Sequence, residues 1–110
     1  MQSNLLALLE NALPVAHNVF LERQTPPYLI YRDGDFDFKT ANSKTVLKKR
    51  KTTLELYTSL SSDVETVENT VETILDGFTT YDKNRTFDEN QGLYITYYSF
   101  YEVIQRQQVL

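Results

Sequence analysis

An amphipathic helix in the second half of the chain sets strong limits on the fold. Six apolar residues fall within about 100° on a helical wheel, the width of a core-facing stripe: Val64, Val67, Val71, Ile74, Leu75 and Phe78. Ser62 and Glu65 have the spacing of a capping box, and Gly77 stands where a C-terminal glycine is expected. A helix with a single apolar stripe must bury it against another layer, so the remaining segments have to supply one.

The rest of the chain supplies that layer as strands. A first helix is predicted over residues 3–12, capped by Ser3 and ended by Pro14. Strands are predicted over residues 15–21, 28–31, 36–40, 46–58, 79–87 and 93–103. Asp33-Gly34 indicates a tight hairpin and Ala41-Asn42-Ser43 a second turn. We therefore expect an α+β domain of order α-β-β-β-β-α-β-β, with a mainly antiparallel sheet and both helices on one face.

Length and composition favour one domain that folds without disulfide bonds or a structural metal ion. The chain has 110 residues and no cysteine, so residues 1–110 suit a single hydrophobic core, and disulfides and thiol chemistry are excluded. No apolar run approaches the roughly 20 residues that cross a bilayer, and no basic leader precedes the first leucines. We expect a soluble protein that stays in the cell that makes it, without a membrane partner.

The longest predicted strand carries an internal conflict. Strand alternation places Leu54 and Leu56 on the same face as Arg50 and Lys48. Burying either charge unpaired would cost several kcal/mol. The basic end of this strand should therefore extend beyond the core, which predicts a projecting hairpin arm at residues 36–52.

Nothing in the sequence favours catalysis. His17 is the single histidine, and no serine elbow or nucleophile–base pair accompanies it. The acidic stretch from Asp33 resembles the start of a calcium loop, but Phe38 and Lys44 occupy the places of its required glycine and glutamate. We expect no enzyme activity, no metal site and no cofactor.

The predicted arm is the first of three segments that suit binding. Its basic run comprises Lys48, Lys49, Arg50 and Lys51. Three interpretations remain open: a protein partner, a solvated arm, or a small nucleic-acid-binding regulator that contacts phosphates without sequence preference. The net charge of −4 and the lack of a recognised nucleic-acid module argue against the third.

The second helix and the last strand supply the other two segments. Acidic residues line one flank of the helix at i, i+3, i+7 and i+11: Glu65, Glu68, Glu72 and Asp76. This flank either improves solubility or receives the basic arm of a neighbouring subunit, a head-to-tail contact that closes into a ring if the rotation permits. Tyr94, Tyr98 and Tyr101 are either partner-facing aromatics or part of a tyrosine-rich sheet.

The order of several short motifs resembles a known family. The motifs are Pro14-Val15-Ala16, Pro27-Tyr28-Leu29-Ile30-Tyr31, Thr40-Ala41-Asn42, Leu54-Glu55-Leu56-Tyr57-Thr58 and Tyr94-Ile95-Thr96-Tyr97-Tyr98-Ser99-Phe100. Together they span nearly the whole chain and resemble the small tail-completion, or head–tail joining, proteins of long-tailed phages and Gram-positive prophages. The Ala41-Asn42-Ser43 turn and the strength of the basic run depart from that pattern.

This resemblance implies a structural protein of the virion, made in the host cytoplasm, with no enzyme activity and no cofactor. It implies a homo-oligomeric ring, usually a hexamer, at the top of the tail tube. The implied partners are the tail tube protein and the head connector proteins, and DNA would pass through the lumen without sequence-specific binding. The two departures leave open whether the chain is a tail terminator, a connector stopper or another joining protein.

Overall fold

A computed structural model of the chain describes the backbone of residues 1–41, 44–60 and 63–106, and within these the side chains of residues 1–37, 47–60 and 63–103. The elements are α1 (Ser3–Ala12), β1 (Val15–His17), β2 (Tyr28–Ala41), β3 (Lys44–Ser59), α2 (Val64–Asp76), β4 (Asp82–Asp88) and β5 (Leu93–Arg106). Of the predicted Ala41-Asn42-Ser43 turn, Ala41 is the last residue of β2 and pairs with Lys44. Asn42, Ser43 and the predicted cap Ser62 lie outside the described residues.

The strands form one sheet in the order β1-β2-β3-β5-β4. β1 runs parallel to β2, and every other neighbouring pair is antiparallel. The α+β class and the mainly antiparallel sheet are therefore confirmed. The predicted order of elements also agrees, with the second and third predicted strands lying in line as the two halves of β2.

The predicted hairpin at Asp33-Gly34 is wrong. β2 continues through this dipeptide, and its pairing with β3 shifts register between Asp33 and Phe36. Such a bulge accommodates extra residues in one strand while the ladder resumes beyond it. Glycine fits here because a Cβ at position 34 would lie 3.1 Å from the carbonyl oxygen of Lys51 on β3. The Asp-Gly pair is present because the bulge requires it, and a bulge favours the same residue types as a tight turn.

Both helices pack on one face of the sheet, as predicted. One buried cluster joins side chains of α1, α2, β2, β3 and β5: Leu5, Leu9, Val71, Leu75, Leu29, Leu54, Leu56, Tyr98 and Phe100. The predicted caps are displaced by one residue. Gln2 caps α1 by accepting from the Leu5 amide, and Asp63 caps α2 by accepting from the Thr66 amide. Of the helices described, neither is long and apolar enough to cross a membrane.

Several strand ends differ from the sequence prediction. β1 ends at His17 because Asn18 adopts a left-handed backbone with φ 66°. β5 runs on to Arg106, beyond its predicted end at residue 103, because Gln105 pairs with Lys48 of β3. The predicted turn between the last two strands is present, with the Gly92 amide donating to the carbonyl oxygen of Asp88 at 2.8 Å.

Candidate functional site

The sheet extends well beyond the helices at one end. The buried core reaches Thr52 on β3 and Phe100 on β5, whereas no described side chain in residues 34–37 or 47–51 is buried. The backbone ladder nevertheless continues, pairing Ala41 with Lys44. We call this extension the three-stranded arm and define it as residues 33–41 of β2, 44–52 of β3 and 100–106 of β5.

Among the described residues, nothing pairs with the outer edge of either outer strand of the three-stranded arm. β4 pairs with β5 only as far as Ser99, and β1 pairs with β2 only as far as Tyr31. In the described part of the chain, no backbone hydrogen bond joins residues 100–106 to the segment that precedes β4. An unpaired edge presents a row of backbone donors and acceptors that can pair with another chain.

The basic run divides between the two faces of the three-stranded arm, as its strand conformation requires. On the helix side, the Lys48 ammonium lies 4.5 Å from the centre of the Phe36 ring. Arg50 lies on the same side, with its Nε 3.4 Å from an Asp33 carboxylate oxygen. Lys49 and Lys51 point to the opposite face, and neither has an ion-pair partner among the described residues.

A charged cluster lies where the three-stranded arm leaves the body. Asp33 contacts Arg50 through one oxygen and the imidazole Nε2 of His17 through the other, at 3.0 Å. On the neighbouring strand, the Thr52 hydroxyl donates to Glu102 at 2.8 Å. The predicted conflict on β3 is eased here, because Arg50 is partly exposed and forms an ion pair with Asp33, although its Nε makes no hydrogen bond within the described residues.

A groove runs beside the unpaired edge of β5. Its volume is about 520 Å³, and its lining includes Lys49, Lys51, Tyr101 and Val103 together with residues 79–82. Tyr101 is 54% exposed and Val103 is 49% exposed. This combination of exposed apolar surface, two lysines and an open strand edge is typical of a surface that binds an extended chain.

The predicted interface role of Glu68 is wrong. Its side chain is 1% exposed, and it receives hydrogen bonds from Arg85, Lys83 and Thr96 of the same chain. Arg85 Nε lies 2.8 Å from one oxygen of Glu68, and the second guanidinium nitrogen contacts the other oxygen. A carboxylate enclosed in this way cannot receive the arm of another subunit.

Glu72 is also engaged within its own chain. It accepts hydrogen bonds from Lys83 Nζ at 2.9 Å and from the Tyr98 hydroxyl at 3.0 Å. Tyr98 is fully buried, so its predicted partner-facing role is wrong as well. Of the predicted acidic flank, Glu65 and Asp76 remain exposed, and their predicted part in an interface stays a prediction.

The surroundings of Glu68 shift its pKa strongly. Burial by itself would raise the pKa, but the hydrogen bonds from Arg85, Thr96 and Lys83 together outweigh burial and lower it to about 2. Burial and the hydrogen bond to Glu72 raise the pKa of Tyr98. The ion-pair network therefore keeps Glu68 charged over the whole physiological range and ties α2 to β4 and β5.

Sequence reasoning missed the two basic residues that complete this network. Lys83 and Arg85 alternate on β4 and therefore share a face, while Glu68 and Glu72 lie one helical turn apart. The sequence therefore showed one pair of basic residues and one pair of acidic residues, each pair on a single face of its own element. Pairing them required knowing that β4 is an edge strand beside β5, which puts both basic residues under α2.

The other two predicted aromatics have different surroundings. Tyr94 is half-buried and packs against Phe87, with ring centres 5.1 Å apart. Tyr101 is exposed in the groove beside β5. On the face of the sheet away from the helices, Tyr28 and Tyr57 stack at 4.8 Å. Tyrosine thus serves both the core and the surface of this sheet.

Comparisons with known proteins give this site no further assignment. No protein-family model matches the chain, and no curated protein is significantly similar to it. Among the described residues, no group of three or more histidine or acidic side chains is arranged to hold a metal ion.

Proposed function

We propose that this chain is a structural assembly protein that completes phage tails and joins them to heads, working as a ring at the top of the tail tube. Six copies are the number that the family resemblance implies. The ring binds the tail tube protein on one side and head connector proteins on the other. Its function is docking, without catalysis or a cofactor.

The three-stranded arm is the observation that carries this proposal. The radius of gyration is 16.0 Å, whereas a compact chain of this length would have about 13 Å. The longest dimension is 56 Å against 26 and 25 Å for the other two. Beyond Thr52 and Phe100 at its base, this charged, elongated extension buries no described side chain. It therefore contributes little to the stability of the body, and a contact with another molecule would explain its presence.

The chemistry of the arm supports a protein partner over nucleic acid. Arg50 faces Asp33, and Lys48 lies over an aromatic ring, so only Lys49 and Lys51 share an exposed face free of ion pairs in the described structure. Two lysines neutralise too few phosphates for firm binding at physiological salt, since affinity scales with the number of phosphates contacted. The net charge of −4 weakens such binding further.

A salt series separates these two functions directly. We expect any complex with a mixed-sequence DNA or RNA duplex to be lost between about 50 and 200 mM salt. Binding that persists at the upper end of this range would favour the nucleic-acid regulator. The Lys49→Glu, Lys51→Glu double variant serves as the control for arm-dependent binding.

Electron microscopy of particles made without the protein tests the proposed function. We expect tails of abnormal length, or tails separated from DNA-filled heads, and restoration by a plasmid copy of the wild-type gene. A copy carrying Lys49→Glu and Lys51→Glu should fail to restore joined particles. A copy carrying Glu22→Lys and Glu89→Lys, two exposed sites on the body, should succeed. Normal particles in the complete absence of the protein would refute the proposal.

A further inference from the structure

The two unpaired edges of the three-stranded arm differ in charge. The β2 edge carries Asp35 and Asp37, both exposed and without an ion-pair partner in the described part of the chain. The β5 edge borders the groove that contains Lys49 and Lys51. One edge of the arm therefore carries two exposed carboxylates, and the other lies beside two lysines of the central strand, of which Lys49 is also the cross-strand neighbour of Asp37 in the same chain.

We propose that the β2 edge of one copy of this chain adds as a strand to the β5 edge of the next copy. The occupant of the groove is then residues 32–41 of the neighbouring subunit. This inference deepens the proposed function and rests on it, because it identifies a second copy of the chain as the partner that the arm contacts.

Strand geometry permits this contact. The unpaired stretch of β5 covers residues 100–106 and that of β2 covers residues 32–41, so up to seven residues of β5 can pair with the added strand. β2 and β5 are both antiparallel to β3, so they run parallel to each other within one subunit. If the next subunit continues the sheet with its strands in the same direction, its β2 runs parallel to β5 of the first subunit.

Side-chain reach permits the charges to meet. Adjacent strands lie about 4.8 Å apart, which places an added strand about 10 Å from β3. The long stems of Lys49 and Lys51 extend from β3 across β5, where Tyr101 and Val103 provide apolar surface for their methylene groups. Asp35 and Asp37 on the added strand then receive the two ammonium groups.

Charge also selects this pairing over the symmetric alternatives. Joining two β2 edges would bring the aspartates of both copies together, whereas joining two β5 edges would give Lys49 and Lys51 of neither copy an acidic strand to contact. Like charges facing each other across strands are destabilising. Pairing β2 with β5 is heterologous, so each added copy presents a new free edge, and the series closes into a ring when the rotation permits.

Charge exchange tests the proposal in solution. We expect sedimentation of the wild-type chain to show oligomers that grow with concentration. Asp35→Lys with Asp37→Lys, and separately Lys49→Glu with Lys51→Glu, should each weaken association at least tenfold. An equimolar mixture of the two variants should restore it, because every β2 edge then meets a groove of opposite charge in an alternating ring.

A single chain carrying all four substitutions should also assemble alone. Its net charge equals the wild-type value of −4, because two carboxylates and two ammonium groups have exchanged places. The matched control is Glu22→Lys with Glu89→Lys, which changes net charge as much as the aspartate variant but lies on the body. Circular dichroism verifies that each variant is folded. If a reversal unfolds the chain, Asp35→Asn with Asp37→Asn replaces it.

Three outcomes would overturn the proposal. The first is a wild-type chain that stays monomeric at about 1 mM, which corresponds to an association free energy weaker than about 4 kcal/mol. The second is that the charge variants assemble as well as the wild type. The third is that mixing the two variants does not restore the association that each has lost. None of these bears on whether particles lacking the protein have defective tails. A failure of the strand-addition interface is therefore distinguishable from a failure of the proposed function.

Discussion

The buried carboxylate of Glu68 makes a quantitative prediction about stability and pH. In Glu68→Gln the side chain keeps its shape but loses its charge, so Arg85 and Lys83 face a neutral amide. The pKa of Glu68 lies at about 2 in the folded chain, against an ordinary value of 4.5. Each pKa unit corresponds to about 1.36 kcal/mol, so the charged form contributes about 3 kcal/mol to folding at neutral pH.

The direction of the pH dependence follows from that lowered pKa. A carboxylate whose pKa falls on folding stabilises the protein above its unfolded pKa, and this stabilisation is lost as pH falls through the folded pKa. The difference in unfolding free energy between the wild type and Glu68→Gln should therefore be about 3 kcal/mol at pH 7. It should shrink to about 1.5 kcal/mol at pH 3, because the carboxyl of the unfolded chain, with its ordinary pKa of 4.5, takes up a proton over this window while the folded carboxylate stays mostly charged.

Urea denaturation followed by circular dichroism at several pH values measures this difference. Urea is preferred to guanidinium because guanidinium ions would screen the ion pairs. Glu89→Gln, in an exposed turn, is the matched control and should change stability by less than about 0.5 kcal/mol. A cost for Glu68→Gln that stays constant from pH 7 to pH 3 would refute the reasoning, since it would show a loss of packing without a loss of charge.

Three further changes test other parts of the fold by thermal or urea unfolding. Thr96→Val conserves shape but removes the 2.6 Å hydrogen bond to Glu68, and it should cost about 1.5 to 3 kcal/mol; an unchanged midpoint would contradict that bond. Gly92→Ala forces a side chain onto a backbone with φ 66° and should cost about 1 kcal/mol, whereas Gly92→Asn should cost less; equal costs would contradict the conformational argument. Leu54→Ala, at a site with no exposure, should cost about 2 to 5 kcal/mol, and Leu21→Ala, which is fully exposed, should cost almost nothing; similar losses would contradict the assigned core.

Local pattern determined much of this protein without reference to its tertiary structure. The apolar spacing of α2 fixed one helix, and alternation in Leu54 and Leu56 identified a core strand whose basic end extends past the core. Both follow from side-chain periodicity, which depends only on backbone geometry and on the cost of burying charge. The α+β class followed in turn, because a helix with one apolar stripe requires an opposing layer.

Tertiary structure decided which charges are available to another molecule. From the sequence, Glu68 and Glu72 were interpreted as part of a solvent-exposed flank. In the structure, β4 places Lys83 and Arg85 beneath them. Gly34 suggested a turn from the sequence, but pairing with β3 makes it part of a bulge in β2. Pairing between segments distant in sequence is set by strand order and register, and a one-residue change in register moves every side chain to the other face. For that reason, local pattern could locate the charges of this chain but not their partners.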